Sequence, residues 1–139
     1  MKILCVGKQK EQYLREGCDK YVQQINYYDK ITVNEIKDSD VKREGKELLE
    51  KINEEWVIVL SEEGKQYGSV EFSQMLCKIN KEVLFVIGSS EGIAPEVKQR
   101  ANMILSLSKM TFLHEMARLI LLEQIYRHEM IKQGKTYHK

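Results

Sequence analysis

The chain has 139 residues, of which 42% are apolar and 31% charged, an amount and balance that suit one globular domain. Its formal net charge of +1 argues against a strongly basic protein that coats nucleic acid regardless of sequence. The three cysteines show no C-x-x-C or Cys/His spacing, so neither a disulfide framework nor a metal site is expected. A reducing, cytoplasmic location follows, and no apolar stretch is long enough to span a bilayer.

Strand and helix patterns alternate along the chain. Short apolar runs such as VLFVI are typical of strands covered on both faces, as in a parallel sheet. Between the runs, apolar residues recur at helical spacing, for example Leu14, Cys18, Tyr21 and Ile25. A helix follows each predicted strand. Ser69 is the expected N-cap of the third helix, Pro95 lies in the first turn of the fourth, and the last helix spans 113–132 with Gly134 as its C-cap. The predicted strands are Lys2–Val6, 31–36, 56–60, Val83–Ile87 and 103–107.

This order predicts an α/β fold in which a parallel sheet is sandwiched between two layers of helices. Ligands of such sheets bind beyond the carboxyl ends of the strands, which directs attention to the loops 60–64, 88–92 and 106–111. Each glycine in these loops could serve turn geometry alone. Neither glycine loop matches G-x-G-x-x-G or G-x-x-x-x-G-K-[ST], so a Rossmann dinucleotide site and a P-loop are both disfavoured.

Four segments together carry a family resemblance: VIVLSEEGK, FVIGSSEG, LSLSKMTFLHEMARLILLEQIYR and the terminal YHK. They resemble the RlmH family, the pseudouridine N3-methyltransferases of the SPOUT class, over most of the chain. The resemblance implies an S-adenosyl-L-methionine-dependent enzyme that methylates N3 of a pseudouridine in large-subunit (23S) ribosomal RNA. It also implies one domain over residues 1–139, a deep trefoil knot in the C-terminal half and a homodimer that works on the ribosome in the cytoplasm.

The resemblance further implies where S-adenosylmethionine binds. Apolar side chains over the faces of adenine and main-chain groups at its edges can hold this base without a charged residue. Glycine in the second loop would let the main chain approach the ligand closely. The implied cofactor-binding residues are Leu60, Gly88, Leu107, Ser108, Lys109, Met110, Thr111 and Phe112.

Candidates for a direct catalytic role lie near the C-terminus. His138 could accept or donate a proton near neutral pH, and with Tyr137 it could instead only position the target base. Arg127 could bind RNA phosphate or pair with Glu123, four residues earlier. A tail that merely trails in solvent is the plain alternative. Further candidates with equally plain structural roles are His114, at the start of the last helix, and Glu91, in the glycine loop.

The last helix carries apolar residues on most of its sides, including Met116, Leu119, Ile120, Leu121, Leu122 and Ile125. Such a helix needs more burial than one sheet face provides. A homodimer interface would provide it, and so would complete burial within the monomer.

Some positions depart from the family pattern. The usual I-G-G reads Ile87-Gly88-Ser89, the usual proline before His114 is Leu113, and Glu115 replaces glutamine. The tail has Thr136 where the family has proline, and the segment between the second strand and the second helix is short.

Three other functions compete with this one. The chain could be a SPOUT methyltransferase acting on a different nucleotide, or a knotted module that binds RNA or ribosomes without catalysis. A flavodoxin-like or receiver domain would need a phosphate loop or an acidic cluster after the first strand. Residues 7–10, Gly-Lys-Gln-Lys, provide neither.

Overall fold

A computed structural model describes residues 1–137 and confirms the alternating order of strands and helices. Five strands alternate with five helices, and every strand pair in the sheet is parallel. The elements are β1 (Lys2–Val6), α1 (Gln12–Asn26), β2 (Thr32–Ile36), α2 (Val41–Lys51), β3 (Trp56–Lys65), α3 (Ser69–Cys77), β4 (Val83–Ile87), α4 (Pro95–Arg100), β5 (Met103–Leu105) and α5 (His114–Lys132).

The strands lie side by side in the order β2-β1-β4-β3-β5. In the middle of the sheet, Ile3 pairs with Phe85 and Phe85 pairs with Ile58, and all three are fully buried. Because β3, β4 and β5 are neighbours, the loops at their carboxyl ends emerge at one edge of the sheet. This confirms that the three loops singled out in the sequence lie together.

Helices cover both faces of the sheet, as the three-layer prediction requires. On one face, α1, α3 and α5 contribute Ile25, Phe72 and Leu122 to a core that also contains Phe85. On the other face, α2 and α4 pack Leu48 and Val97 against the sheet. The two cores explain why β4 reads as an unbroken apolar run, since its alternate side chains enter opposite cores and all are buried.

Two strand ends differ from prediction. The third strand was expected to end at Leu60, but it continues to Lys65 through an irregularity in which Leu60 and Lys65 both pair with Leu105. The fifth strand was expected to reach Leu107 and ends at Leu105. Residues 61–64 therefore bulge out of the sheet instead of forming a simple loop, which is a pairing that local sequence does not specify.

Helix ends follow the expected chemistry with small shifts. Gly68, not Ser69, is the N-cap of α3, and the Glu71 carboxylate accepts a hydrogen bond from its amide at 3.0 Å. The hydroxyl of Ser69 instead donates to Gln124 on α5 at 2.7 Å. At the end of α5, Gly134 has a φ of +64°, the left-handed geometry that terminates helices, directly after the C-cap Gln133.

Candidate active site

A cleft of about 620 Å³ opens at the carboxyl ends of β3, β4 and β5. This volume falls within the range of roughly 300–1,000 Å³ that is usual for small-molecule sites. Each of the three predicted loops contributes to its wall. Of the eight implied cofactor-binding residues, Lys109 alone does not line the cleft; those that line it are Leu60, Gly88, Leu107, Ser108, Met110, Thr111 and Phe112.

The bulge after Leu60 forms the first wall. Ser61, Glu62 and Glu63 all line the cleft, because the chain leaves the sheet after Leu60 and rejoins it at Lys65. The return passes so close to β5 that a Cβ on Gly64 would lie 2.6 Å from the main-chain carbonyl of Ile104. Only glycine fits there, so Gly64 is needed for close packing rather than for the turn geometry that the sequence favoured.

The second wall is the tight loop from Gly88 to Ile93. A Cβ on Gly88 would lie 2.4 Å from the side chain of Ile93 and 2.5 Å from the carbonyl oxygen of Gly92. Gly92 itself has a φ of +92°, and its amide donates to the carbonyl of Ser89 at 3.0 Å. The two glycines thus allow the loop to fold back on itself. The close approach that Gly88 permits is to Gly92 and Ile93 of the same loop.

Side-chain hydrogen bonds order the third wall, the segment after β5. The buried Ser106 hydroxyl donates to the carbonyl of Ser108 at 2.8 Å, and the Ser108 hydroxyl accepts from the amide of Met110 at 3.0 Å. The Thr111 hydroxyl donates to the Glu62 carboxylate at 3.2 Å, which joins the third wall to the first. The serines and threonine of this segment therefore shape the loop, while Met110 remains 74% exposed at its crest.

The cleft has an excess of acidic side chains. Glu62, Glu63 and Glu91 line it, together with one lysine, Lys98, which pairs with Glu63 at 2.7 Å. The excess favours a ligand that carries positive charge. Lys98 and Ile93 were not foreseen from the sequence, because they lie on or before α4 and reach the cleft only through the crossover that carries the chain from β4 to β5.

His114 lines the cleft at the first residue of α5, beside the loop after β1. Its Nε2 lies 3.6 Å from where a Cβ on Gly7 would stand, and its Nδ1 is buried with no hydrogen-bond partner among residues 1–137. The next residue, Glu115, accepts from the amides of Lys10 at 2.8 Å and Glu11 at 3.3 Å. The carboxylate that replaces the family glutamine thus binds the start of α1 to the start of α5.

Arg127 and Tyr137 lie together at the far end of α5. The Arg127 guanidinium bonds to the Glu123 carboxylate at 2.6 Å and lies 4.8 Å from the centre of the Tyr137 ring. The Tyr137 hydroxyl donates to the same carboxylate at 3.1 Å. Burial, followed by hydrogen bonds with Tyr21 and Glu123, raises the pKa of Tyr137 above its ordinary value. The phenol is therefore neutral near pH 7.

These two residues do not reach the cleft of their own chain. Arg127 follows Ala117, the last residue of α5 that lines the cleft, by ten residues, which is about 15 Å along a helix. Neither Arg127 nor Tyr137 lines the cleft. His138, the first catalytic candidate, lies outside the described residues, as does Lys139.

Within residues 1–137, no helix combines the length and the apolar character that crossing a membrane requires. Within the same residues, no group of His, Cys, Asp and Glu side chains is arranged to hold a metal ion.

Comparison with known proteins identifies the class. A family model described as "Predicted SPOUT methyltransferase" matches residues 1–138, and the chain belongs to this family. Within the class, the chain is 41% identical to the ribosomal RNA large subunit methyltransferase H of Streptococcus sanguinis over 157 aligned positions. It is 39% identical to the protein of the same name from Caldicellulosiruptor saccharolyticus over 153 positions. Each alignment covers 100% of this chain and 99% of the relative.

Both alignments are longer than the 139 residues of this chain, so they contain gaps in it. The short connection from β2 to α2, residues 37–40, agrees with a chain that is shorter than its relatives. The resemblance to RlmH stated from the sequence motifs is confirmed.

Solved structures confirm the fold class. A probable methylase family protein from Haemophilus influenzae aligns with a TM-score of 0.61 at 9% identity, over 99% of this chain and 70% of that one. The tRNA (m1G37) methyltransferase from Aquifex aeolicus aligns with a TM-score of 0.58 at 14% identity, over 91% and 69%. Both likenesses concern the fold alone, and they support the knotted α/β class that the resemblance implied.

Proposed function

We propose that this chain transfers a methyl group from S-adenosylmethionine to N3 of a pseudouridine in large-subunit ribosomal RNA, as a cytoplasmic homodimer of single-domain subunits. The observation that carries the proposal is the convergence of three loops on one cleft, with Leu60, Gly88 and Met110 each on a different wall. Relatives named ribosomal RNA large subunit methyltransferase H, which align with the whole of this chain over 99% of their own length, support the substrate class. A ribosomal substrate implies the cytoplasm.

The residues of the cleft fit S-adenosylmethionine. Leu60, Leu107 and Ile87 offer apolar surface for the flat adenine, and the loop main chain offers donors and acceptors for its edges. The carboxylates of Glu62 and Glu91, which line the cleft, suit the positive sulfonium. The bound cofactor would supply an activated methyl group on that sulfonium. The residues that line the cleft would hold the cofactor and exclude water from its reacting methyl group.

The acceptor has to be deprotonated and aligned. N3 of pseudouridine carries a weakly acidic proton and is a poor nucleophile while it is protonated. His138 is the residue we propose to accept this proton, which typically contributes roughly 10²–10⁴-fold to a rate. Tyr137 remains neutral near pH 7, since its pKa is raised, so its proposed role is to stack on the base or to hydrogen-bond it.

The separation of the tail from the cleft supports action between subunits. Arg127 lies about 15 Å along α5 from Ala117, the last residue of this helix that lines the cleft, and Tyr137 binds the same Glu123 carboxylate as Arg127. We therefore assign them, with His138, to the cleft of the second subunit in the dimer. Arg127 is committed to Glu123 and Tyr137, so its proposed function is to hold the tail in place more than to bind RNA phosphate.

Exposed apolar residues mark where the second subunit would pack. Leu121, Leu122 and Ile125 are buried within the monomer, which accounts for part of the apolar surface of α5. Met116 and Ile120 remain partly exposed on the same helix. Next to its start, Leu113 is 56% exposed and Met110 is 74% exposed. An apolar patch of this kind is typical of an interface between subunits.

The test is methylation of ribosomes from a strain that lacks this protein, with mass spectrometry of the ribosomal RNA. We expect the purified chain and S-adenosylmethionine to restore one methyl group on one pseudouridine, and His138→Ala to lower the rate by roughly 10²-fold or more. A methyl group on another nucleotide would contradict the pseudouridine assignment. Absence of methylation, with no cofactor binding by calorimetry, would favour a non-catalytic RNA-binding module.

A further inference from the structure

A buried carboxylate lies directly behind one wall of the cleft. Glu44 is in the first turn of α2 and only 2% of its surface is exposed. Its Oε2 accepts a hydrogen bond from the Ser89 hydroxyl at 2.9 Å, and its Oε1 accepts one from the Ser39 amide at 2.9 Å. Because Ser89 lines the cleft, a single hydroxyl separates this carboxylate from the ligand space.

No ion pair within residues 1–137 involves Glu44. Buried acidic side chains are normally paired with a cation. The N-terminus of α2 offsets roughly half an elementary charge, and each carboxylate oxygen accepts one of the two hydrogen bonds. Part of the negative charge therefore remains uncompensated beside the cleft.

The position of Glu44 is fixed by close packing. A Cβ on the neighbouring Gly45 would lie only 2.5 Å from the Cβ of Ala94, so α2 is in direct contact with the residue that follows the second wall. The Ser89 hydroxyl donates to Glu44 and accepts from the amide of Glu91 at 3.3 Å. This chain of bonds holds the charge at a constant distance from the cleft, so it can act on a ligand without moving.

We infer that Glu44 is a specificity-determining residue that favours the methyl donor over the demethylated product. S-adenosylmethionine carries one positive charge more than S-adenosylhomocysteine, because the sulfonium becomes a neutral thioether when the methyl group leaves. A fixed negative charge behind the cleft lowers the free energy of the donor complex and leaves that of the product complex almost unchanged. The same preference would assist release of the product after each turnover.

The inference rests on the proposed use of the cleft for the cofactor, and calorimetry can separate the two. Dissociation constants of S-adenosylmethionine and S-adenosylhomocysteine are measured for the wild type, Glu44→Gln and Glu50→Gln. Glu44→Gln should lower the preference for the donor by about three- to tenfold. Glu50→Gln removes the same charge from an exposed position of α2 and should leave the preference unchanged. Equal weakening of both ligands by Glu44→Gln, or no change, overturns the inference.

Ser89→Ala separates charge from geometry. It keeps the Glu44 charge but removes its hydrogen bond to the loop, so both ligands should bind more weakly while the donor preference stays within about twofold. Loss of the preference in Ser89→Ala would assign it to the hydroxyl and overturn the inference. A wild type that binds neither ligand would refute the cofactor site itself, and the inference with it.

If Glu44→Gln does not fold, the wild type still provides a test. A preference caused by a buried charge should persist when the salt concentration rises from low values to about 0.5 M, because such a charge is poorly screened. A preference that disappears over this range would originate from the exposed carboxylates of the rim and would overturn the inference.

Discussion

Gly64 and Ile104 touch through their main chains, since a Cβ at position 64 would lie 2.6 Å from the Ile104 carbonyl. This contact lets β3 leave the sheet after Leu60, place three residues in the cleft wall and rejoin the sheet opposite Leu105. The first wall of the cleft therefore depends on the absence of one side chain.

We expect Gly64→Ala to lower the free energy of unfolding by about 1–3 kcal/mol, because the added methyl group meets main chain that cannot rotate away. Binding of S-adenosylmethionine should weaken with it, since the bulge carries Ser61, Glu62 and Glu63 into the cleft. Denaturant unfolding and calorimetry measure the two effects. Gly68→Ala is the control, because a Cβ there meets only the flexible Glu71 side chain at 3.6 Å and only the N-cap preference for glycine over alanine is lost. Equal behaviour of the two variants would contradict this account of Gly64.

When the tail of one subunit completes the cleft of the other, two inactive variants should complement each other. His138→Ala should lack a functional tail, and Gly88→Ala should lack a functional cleft because its Cβ would lie 2.4 Å from Ile93. Each variant alone should be nearly inactive. After mixing and exchange of subunits in equal amounts, about a quarter of the wild-type methylation should return, because half of the dimers contain one intact pair of tail and cleft. Activity that stays at the level of the single variants would indicate that tail and cleft act within one chain.

His128 should make stability depend on pH. The side chain is 3% exposed, its Nδ1 lies 2.8 Å from the Ser73 hydroxyl, and burial lowers its pKa to about 4. The unfolded chain binds the proton more readily, since an ordinary histidine has a pKa near 6.5. The contribution of neutral His128 to the free energy of unfolding is thus fully present above about pH 6.5. It is lost progressively as the pH falls to about 4, by roughly 3 kcal/mol in all.

The measurement is the free energy of unfolding of the wild type and of His128→Gln between pH 4 and 8. The neighbouring Glu129 acts in the opposite sense. Burial raises the pKa of its carboxyl, so its ionisation lowers the free energy of unfolding as the pH rises. Both proteins retain Glu129, so the difference between their pH profiles reports His128 together with its contact to Glu129 at 3.7 Å. A difference that does not vary with pH would show that His128 is not buried as a neutral side chain.

Arg118 joins the start of the last helix to the first two strands. It is 3% exposed, bonds to Glu35 on β2 at 2.6 Å and donates to the carbonyl of Gly7 at 2.9 Å. We expect Arg118→Met to cost about 2–3 kcal/mol in unfolding free energy, at the low end for a buried pair because Glu35 is one-third exposed. Arg43→Met, which breaks the exposed pair with Asp40, should leave the unfolding midpoint unchanged. A loss as small as that of Arg43→Met would contradict a structural role for Arg118.

Much of the fold could be predicted because its signals are local. The run 83–87 is apolar at every position, and such a run is buried only when helices cover both faces of a parallel sheet. The helical spacing of Leu14, Cys18 and Ile25 likewise agrees with the burial of all three. The bulge at 61–64 was missed because it depends on contact between Gly64 and Ile104, forty residues apart.

The candidate site divides in the same way. Leu60, Gly88 and Met110 were named from motifs in loops that the parallel-sheet rule brings to one edge, and they line one cleft. Lys98 and Glu44 gave no signal, because each reaches the site through packing between elements. The resemblance, and not periodicity, indicated the knot, since local patterns carry no information about how one segment passes another.

The sequence by itself determined the order of the elements, their apolar faces and the family, because side-chain periodicity and motifs are properties of neighbouring residues. Tertiary structure alone decided that Glu44 lies behind the cleft and that Tyr137 binds Glu123 and does not line the cleft. The physical reason is that burial, electrostatic potential and distance depend on which segments pack together, and that packing is set by the whole chain.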